Sequence, residues 1–155
     1  MFDVLVFVYE NYYTGATCPE PAHLERKLSA VGFESDEIDE AMTWLKGLDT
    51  AAHPAPLEPW LLQPNPYSVR IYTYAEQSRL GMQCLGFISF MESSGALHAH
   101  MREVVIDRAM ATTGAPVSLD DLKVIILMVY WRFGEEPDAL VLDELCEDSS
   151  GRTVH

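Results

Sequence analysis

Positive charge is what this chain has least of: 10 lysines and arginines stand against 24 aspartates and glutamates, a net charge of −14 over 155 residues. The bases Arg26, Lys27, Lys46, Arg70, Arg79, Arg102, Arg108, Lys123, Arg132 and Arg152 are scattered, so sequence neighbours build no basic stripe. DNA affinity comes largely from cations that neutralise phosphates, and an acidic chain meets repulsion before any contact. Anionic membrane surfaces are disfavoured for the same reason. Cysteine is scarce too. Cys18, Cys84 and Cys146 are odd in number, far apart and form no C-x-x-C pair, which argues against a disulfide framework and a zinc site and fits a reducing cytoplasm. Long apolar runs are missing: Val124 to Trp131 is eight residues, and a bilayer takes about twenty. The N-terminus, Met-Phe-Asp-Val-Leu-Val-Phe-Val-Tyr-Glu, has no basic n-region and no small-residue cleavage site. The expectation is a cytoplasmic protein with no membrane partner.

Catalytic signatures are absent as well. No Gly-rich phosphate loop, H-E-x-x-H or local Ser/His/Asp or Cys/His context occurs. His98 and His100 stand two apart, a spacing that on a helix points them to different sides, and no third ligand follows at a short spacing. Neither metal nor cofactor is expected, and the chain reads as a non-enzyme.

What is present is helical periodicity over a 48% hydrophobic composition, ample for a packed core. The reading is all-α, with at most one short strand. A first helix covers residues 2–13. Pro19 and Pro21 open a second, whose apolar face Leu24, Leu28 and Val31 ends at Gly32 as a left-handed cap with Phe33 folding back. Ser35 is read as the cap of a third helix, with Ile38, Ala41, Met42 and Leu45 leading toward Gly47. Residues 1–48 thus form a helix-turn-helix-like half. A linker over 49–67 holds five of the nine prolines, Pro54, Pro56, Pro59, Pro64 and Pro66, with Trp60, Leu61 and Leu62 set to pin it to the core. A helical half follows over 68–148, then a frayed tail over 149–155. Residues 68–74 alternate with period two, as a strand or an extended tether. Thr73 and Glu76 match a capping box for a helix running to about Ser93. Another helix spans about His98 to Thr112. Ser118 caps a run to Phe133, apolar nearly all round, the predicted buried central helix. Pro137 to Cys146 carries a short docked helix.

The acids are grouped. A DNA-reading helix-turn-helix presents Arg, Lys, Asn or Gln at the start of its second helix; here Glu34, Asp36, Glu37, Asp39 and Glu40 stand there. Seven more acids, Glu135, Glu136, Asp138, Asp143, Glu144, Glu147 and Asp148, lie between Gly134 and Ser150 with no base among them. Such runs ordinarily solvate a helix face; the sharper reading is a docking surface for a basic protein partner. Glu34, Asp36, Glu37, Asp39, Glu40, Asp143, Glu144 and Glu147 are its candidate residues. The alternative is a nucleic-acid-binding regulator in which Arg26, Lys27, Arg70 and Arg79 converge. Trp44, Trp60 and Trp131 read as core anchors, and Tyr12, Tyr13, Tyr72 and Tyr74 as exposed contact residues.

Several blocks in order resemble the bacterial Smg family: Met1-Phe2-Asp3-Val4-Leu5 with Glu10-Asn11-Tyr12, Gly32-Phe33, Glu37-Ile38, Ala41, Trp44-Leu45, Leu48, then Arg70-Ile71-Tyr72-Thr73 with Glu76, Gly86-Phe87, Arg102 to Arg108, and Asp120-Asp121-Leu122-Lys123 before Ile126 to Val129. The resemblance implies a small, mostly helical cytosolic protein without agreed catalytic residues. Genes of that family often neighbour one for a DNA-processing protein, which implies a DNA-handling partner.

Overall fold

A computed structural model describes residues 1–13, 15, 19–53 and 69–146. The linker prolines with Trp60, Leu61 and Leu62, as well as Cys18, Glu147, Asp148 and the tail, lie outside the described residues. Among those described there are seven helices and no strand: α1 (Phe2–Tyr12), α2 (Pro21–Val31), α3 (Ser35–Ala52), α4 (Tyr74–Ser93), α5 (Ala99–Met110), α6 (Leu119–Phe133) and α7 (Ala139–Cys146).

Helix α6 is the axis of the fold. Ser118 Oγ accepts from the Asp121 N–H at 3.1 Å, and every residue from Leu122 to Tyr130 is buried. A helix apolar on all sides needs neighbours on all sides, and α1, α3, α4, α5 and α7 pack on it. Lys123 is the polar exception in that run. Its ammonium reaches Glu144 of α7 at 3.6 Å and sits 5.6 Å from the centre of the Phe87 ring. A buried cation needs such partners, because desolvation without them costs several kcal/mol.

Pro21 opens α2 at its first turn and Gly32, at φ 109°, closes it, as expected. Two boundaries differ from the sequence reading. Glu34, not Ser35, is the N-cap of α3: the Glu37 carboxylate accepts from the Glu34 N–H at 3.4 Å, which places Ser35 in the first turn. Helix α3 also continues past Gly47 and Leu48 to Ala52. Gly47 faces Arg108 of α5, and a Cβ there would lie 2.8 Å from Arg108 Cζ; it serves close packing, not termination. Val31, expected on the apolar face of α2, is 52% exposed, because Leu24 and Leu28 alone reach the core.

The period-two stretch is an extended strap without strand pairing. Arg70 and Tyr72 are half-buried while Val69 and Ile71 stand in solvent. It ends at Thr73, whose hydroxyl accepts from the Glu76 N–H while the Glu76 carboxylate accepts from the Thr73 N–H at 2.8 Å. Helix α4 is broken at Gly81 (φ 69°, ψ 173°). The break leaves the Arg79 carbonyl free for the Val117 N–H at 2.9 Å. Arg79 in turn donates to Gly114 O at 2.8 Å and Thr112 Oγ1 at 2.7 Å, and the Cys84 thiol donates to Val117 O at 3.4 Å. The loop from α5 to α6 is thereby sewn into the kink.

Candidate interaction surface

The α2–turn–α3 unit is held from below. Phe33 N–H bonds back to Leu28 O at 3.3 Å, and its ring meets Phe7 of α1 edge-on at 5.7 Å. Ile38, Ala41, Trp44 and Leu48 turn α3 inward, and Trp44 Nε1 donates to Arg108 O at 3.0 Å while Arg108 Nη1 donates to Trp44 O at 3.2 Å. That orientation fixes the acids. Glu34, Asp36 and Asp39 face solvent with no ion pair among the described residues, although the Glu34 carboxylate caps the Glu37 N–H. The other two are partly engaged: Glu37 lies 3.9 Å from the N-terminal ammonium of Met1, and Glu40 accepts from the Thr113 hydroxyl. Acids at a helix start are favoured by the macrodipole, so this concentration costs the helix little.

Of the C-terminal candidates, Asp143 is exposed, Glu144 is turned onto Lys123, and Glu147 lies outside the described residues. Glu135, Glu136 and Asp138 are also exposed.

The bases are used very differently. Arg70 lies between Glu76 at 2.8 Å and Glu103 at 3.1 Å, and Arg102 bridges Glu103 at 2.8 Å and Glu92. The Arg70 guanidinium and the Thr73 N–H hold the Glu76 carboxyl down to about 2, and the same two arginines, outweighing burial, lower that of Glu103. Arg108 pairs with Asp107 at 2.7 Å, and Arg132 with Asp49. Neighbouring residues of α5, Arg102 with Glu103 and Asp107 with Arg108, are thus ion-paired. Of the candidate nucleic-acid residues, Arg70 and Arg79 are taken up by carboxylates and carbonyls of the fold, while Arg26 and Lys27 remain on the exposed side of α2. Lys27 lies 4.9 Å from the centre of the Tyr12 ring.

The histidines correct one expectation. His98 is the N-cap of α5 in an extended conformation (φ −70°, ψ 154°), so its ring swings onto His100, with centroids 5.9 Å apart and planes at 9°. The helical geometry that would separate them does not apply outside the helix. No group of three or more His, Cys, Asp or Glu side chains converges as a metal site among the described residues. Of the four tyrosines read as exposed contact residues, Tyr74 is strongly exposed, whereas Tyr12, Tyr13 and Tyr72 are half-buried. Trp44 is in the core and Trp131 packs against it.

Between α1, α6 and α7 lies a cleft of about 80 Å³ lined by Val6, Tyr9, Glu10, Val124, Leu127 and Cys146. Burial raises both the Tyr9 hydroxyl and the Cys146 thiol, which keeps them protonated at neutral pH. Neither this cleft nor the arginine–glutamate network announces itself in sequence. The one available signal for the network was Arg70 standing shortly before the capping Glu76. No helix among the described residues is long and apolar enough to cross a membrane.

A family model described as "Protein of unknown function (DUF494)" matches residues 1–155. The chain is 52% identical over 155 residues to the Protein Smg homolog of Methylibium petroleiphilum and 53% identical over 155 residues to that of Leptothrix cholodnii, each time covering both chains in full. The Protein Smg homolog of Bordetella pertussis is 46% identical over 155 residues, again across the whole of both chains. No solved structure matches.

Proposed function

The chain belongs to the DUF494 family together with the Smg homologs, and for it we propose a non-enzymatic adaptor that binds a basic segment of a protein partner. The contact face is the start of α3, Glu34, Asp36 and Asp39 with Glu37 and Glu40 beside them; Asp143, Glu144 and Glu147 of the C-terminal acidic segment are a second candidate group. The single observation that supports this most is the division of charge. Arg70, Arg79, Arg102, Arg108, Lys123 and Arg132 are bonded within the fold, whereas Glu34, Asp36 and Asp39 are turned outward. A surface with unpaired charge of one sign steers a partner of the other and accelerates encounter. The gene neighbourhood that the family resemblance implies adds a DNA-handling protein as a partner class.

Capture of binding proteins from lysate at about 50 mM and about 500 mM salt tests this, because only the electrostatic part of binding is screened. Expected is a partner retained at low salt, released at high salt, and lost when Asp36, Glu37, Asp39 and Glu40 are reversed to Lys. A partner indifferent to both changes refutes it. The second reading, a nucleic-acid-binding regulator, draws on the exposure of Arg26 and Lys27 on α2, its other two bases, Arg70 and Arg79, being bonded within the fold. It requires retardation of labelled DNA or RNA at about 50 mM salt, where phosphate contacts are strongest.

A further inference from the structure

Beyond Gly81 the outer face of α4 carries no charge. Its exposed residues are Met82, Gln83, Gly86, Ser89, Phe90 and Ser93, and the two large apolar ones are 91% and 59% exposed at Met82 and Phe90. From Leu80 to Met91 the only ionisable side chain is Cys84, which is buried. Glu92, the next acid, is turned onto Arg102. In a chain of net charge −14, twelve such residues in a row leave an uncharged face on which two large apolar side chains stand exposed. A soluble helix normally covers its outer side with charged residues.

The spacing on this face is symmetric. Met82 and Phe90 lie four residues before and after Gly86, and Gln83 and Ser89 three before and after. A Cβ at Gly86 would meet nothing within 4 Å, so the notch between the two large side chains is open. Here we infer that α4 is a homodimer interface, two copies crossing antiparallel about a twofold axis through Gly86. In that arrangement Met82 packs on Phe90 of the second copy, Gln83 faces the Ser89 hydroxyl, and the backbones approach closely at the glycines. A twofold contact has to be self-complementary, and this order of residues is. Charge supports the same occupant. Two chains this acidic meet here without acid facing acid, whereas a basic partner gains no attraction from an uncharged face. The inference is independent of the acidic surface on α3, because reversing those acids leaves the α4 face intact.

Sedimentation of the full chain at about 150 mM salt, where the Debye length is about 8 Å, tests it. Expected is a concentration-dependent shift from a mass of 17.4 kDa to twice that value. Phe90→Glu should raise the dissociation constant at least about tenfold, a loss of about 1.4 kcal/mol. The double variant M82K/F90E should recover most of it, since the crossing brings position 82 of one copy to position 90 of the other. Circular dichroism confirms that each variant is folded, both positions being exposed in the monomer. A chain monomeric up to about 1 mM, a dimer untouched by Phe90→Glu, or a double variant weaker than the single one overturns the proposal.

Discussion

Gly81 sits at φ 69°, ψ 173° inside α4, a region that side-chain-bearing residues enter only at about 1–3 kcal/mol. A Cβ added there would meet no atom within 4 Å, so any penalty for substitution comes from the backbone alone. Gly81→Ala should destabilise by about 1–3 kcal/mol in urea unfolding. It should also loosen the loop that docks on the Arg79 carbonyl, visible as faster amide exchange at Val117. Trp44 is a second single-residue test. Its indole N–H donates to Arg108 O across α3 and α5, and losing a part-buried hydrogen bond costs about 1–2 kcal/mol. Trp44→Phe should lower stability by about that amount while leaving helix content unchanged; a neutral variant would show that the bond contributes nothing. Cys84 offers a third. Burial, with Asp121 adding to it, pushes its thiol up to about 11, so the native chain should protect this residue from thiol reagents at pH 8 until it is unfolded.

At the scale of elements, the start of α4 and the strap before it form one unit. Thr73 and Glu76 cap the helix reciprocally, and the same Glu76 carboxylate takes a bidentate contact from Arg70. The carboxyl, at about 2 in the fold against an ordinary 4.5, binds its proton more weakly folded than unfolded. Its contribution is therefore complete above about pH 4.5 and lost as the pH falls toward 2. Glu76→Gln should be less stable than the unaltered chain at pH 7, with the difference shrinking through that window; melting both proteins from pH 7 to pH 2 measures it. Taking the difference between the two proteins cancels the other acids, whose protonation relieves repulsion over the same range. The capping box could be read directly from residues 73 and 76, because its partners are three positions apart. Arg70 bridging to Glu103 could not, since thirty-three residues separate them.

For the whole molecule, the net charge of −14 acts as self-repulsion that folding concentrates. Raising salt from about 10 mM to about 150 mM shortens the screening length from about 30 Å to about 8 Å. The melting temperature should rise over that range even though the surface ion pairs weaken, because each exposed pair is worth only about 0–1 kcal/mol. A fall would mean that the arginine–glutamate network outweighs the repulsion. The Glu76–Arg70–Glu103–Arg102–Glu92 chain of contacts spans the strap, α4 and α5, so it is the part of the charge distribution that resists salt on geometric grounds.

Sequence by itself determined the elements whose causes are local. The apolar run after Ser118 named the buried axis, since a helix without a polar face has nowhere else to go. Gly32, Thr73 and Ser118 marked helix ends through backbone groups only a few residues away. The clustering of acids at residues 34–40 was equally plain. Tertiary structure alone decided where α3 stops, because Gly47 answers to Arg108 sixty-one positions on and not to its own helix. It decided that His98 and His100 stack, that α4 breaks at Gly81 to receive the Val117 N–H, and which charges are left over. An acid or a base declares its sign in sequence, but whether that sign reaches solvent depends on distant partners: Arg79 is occupied by Thr112 and Gly114, while Asp36 and Asp39 have been turned outward by the buried face of their own helix.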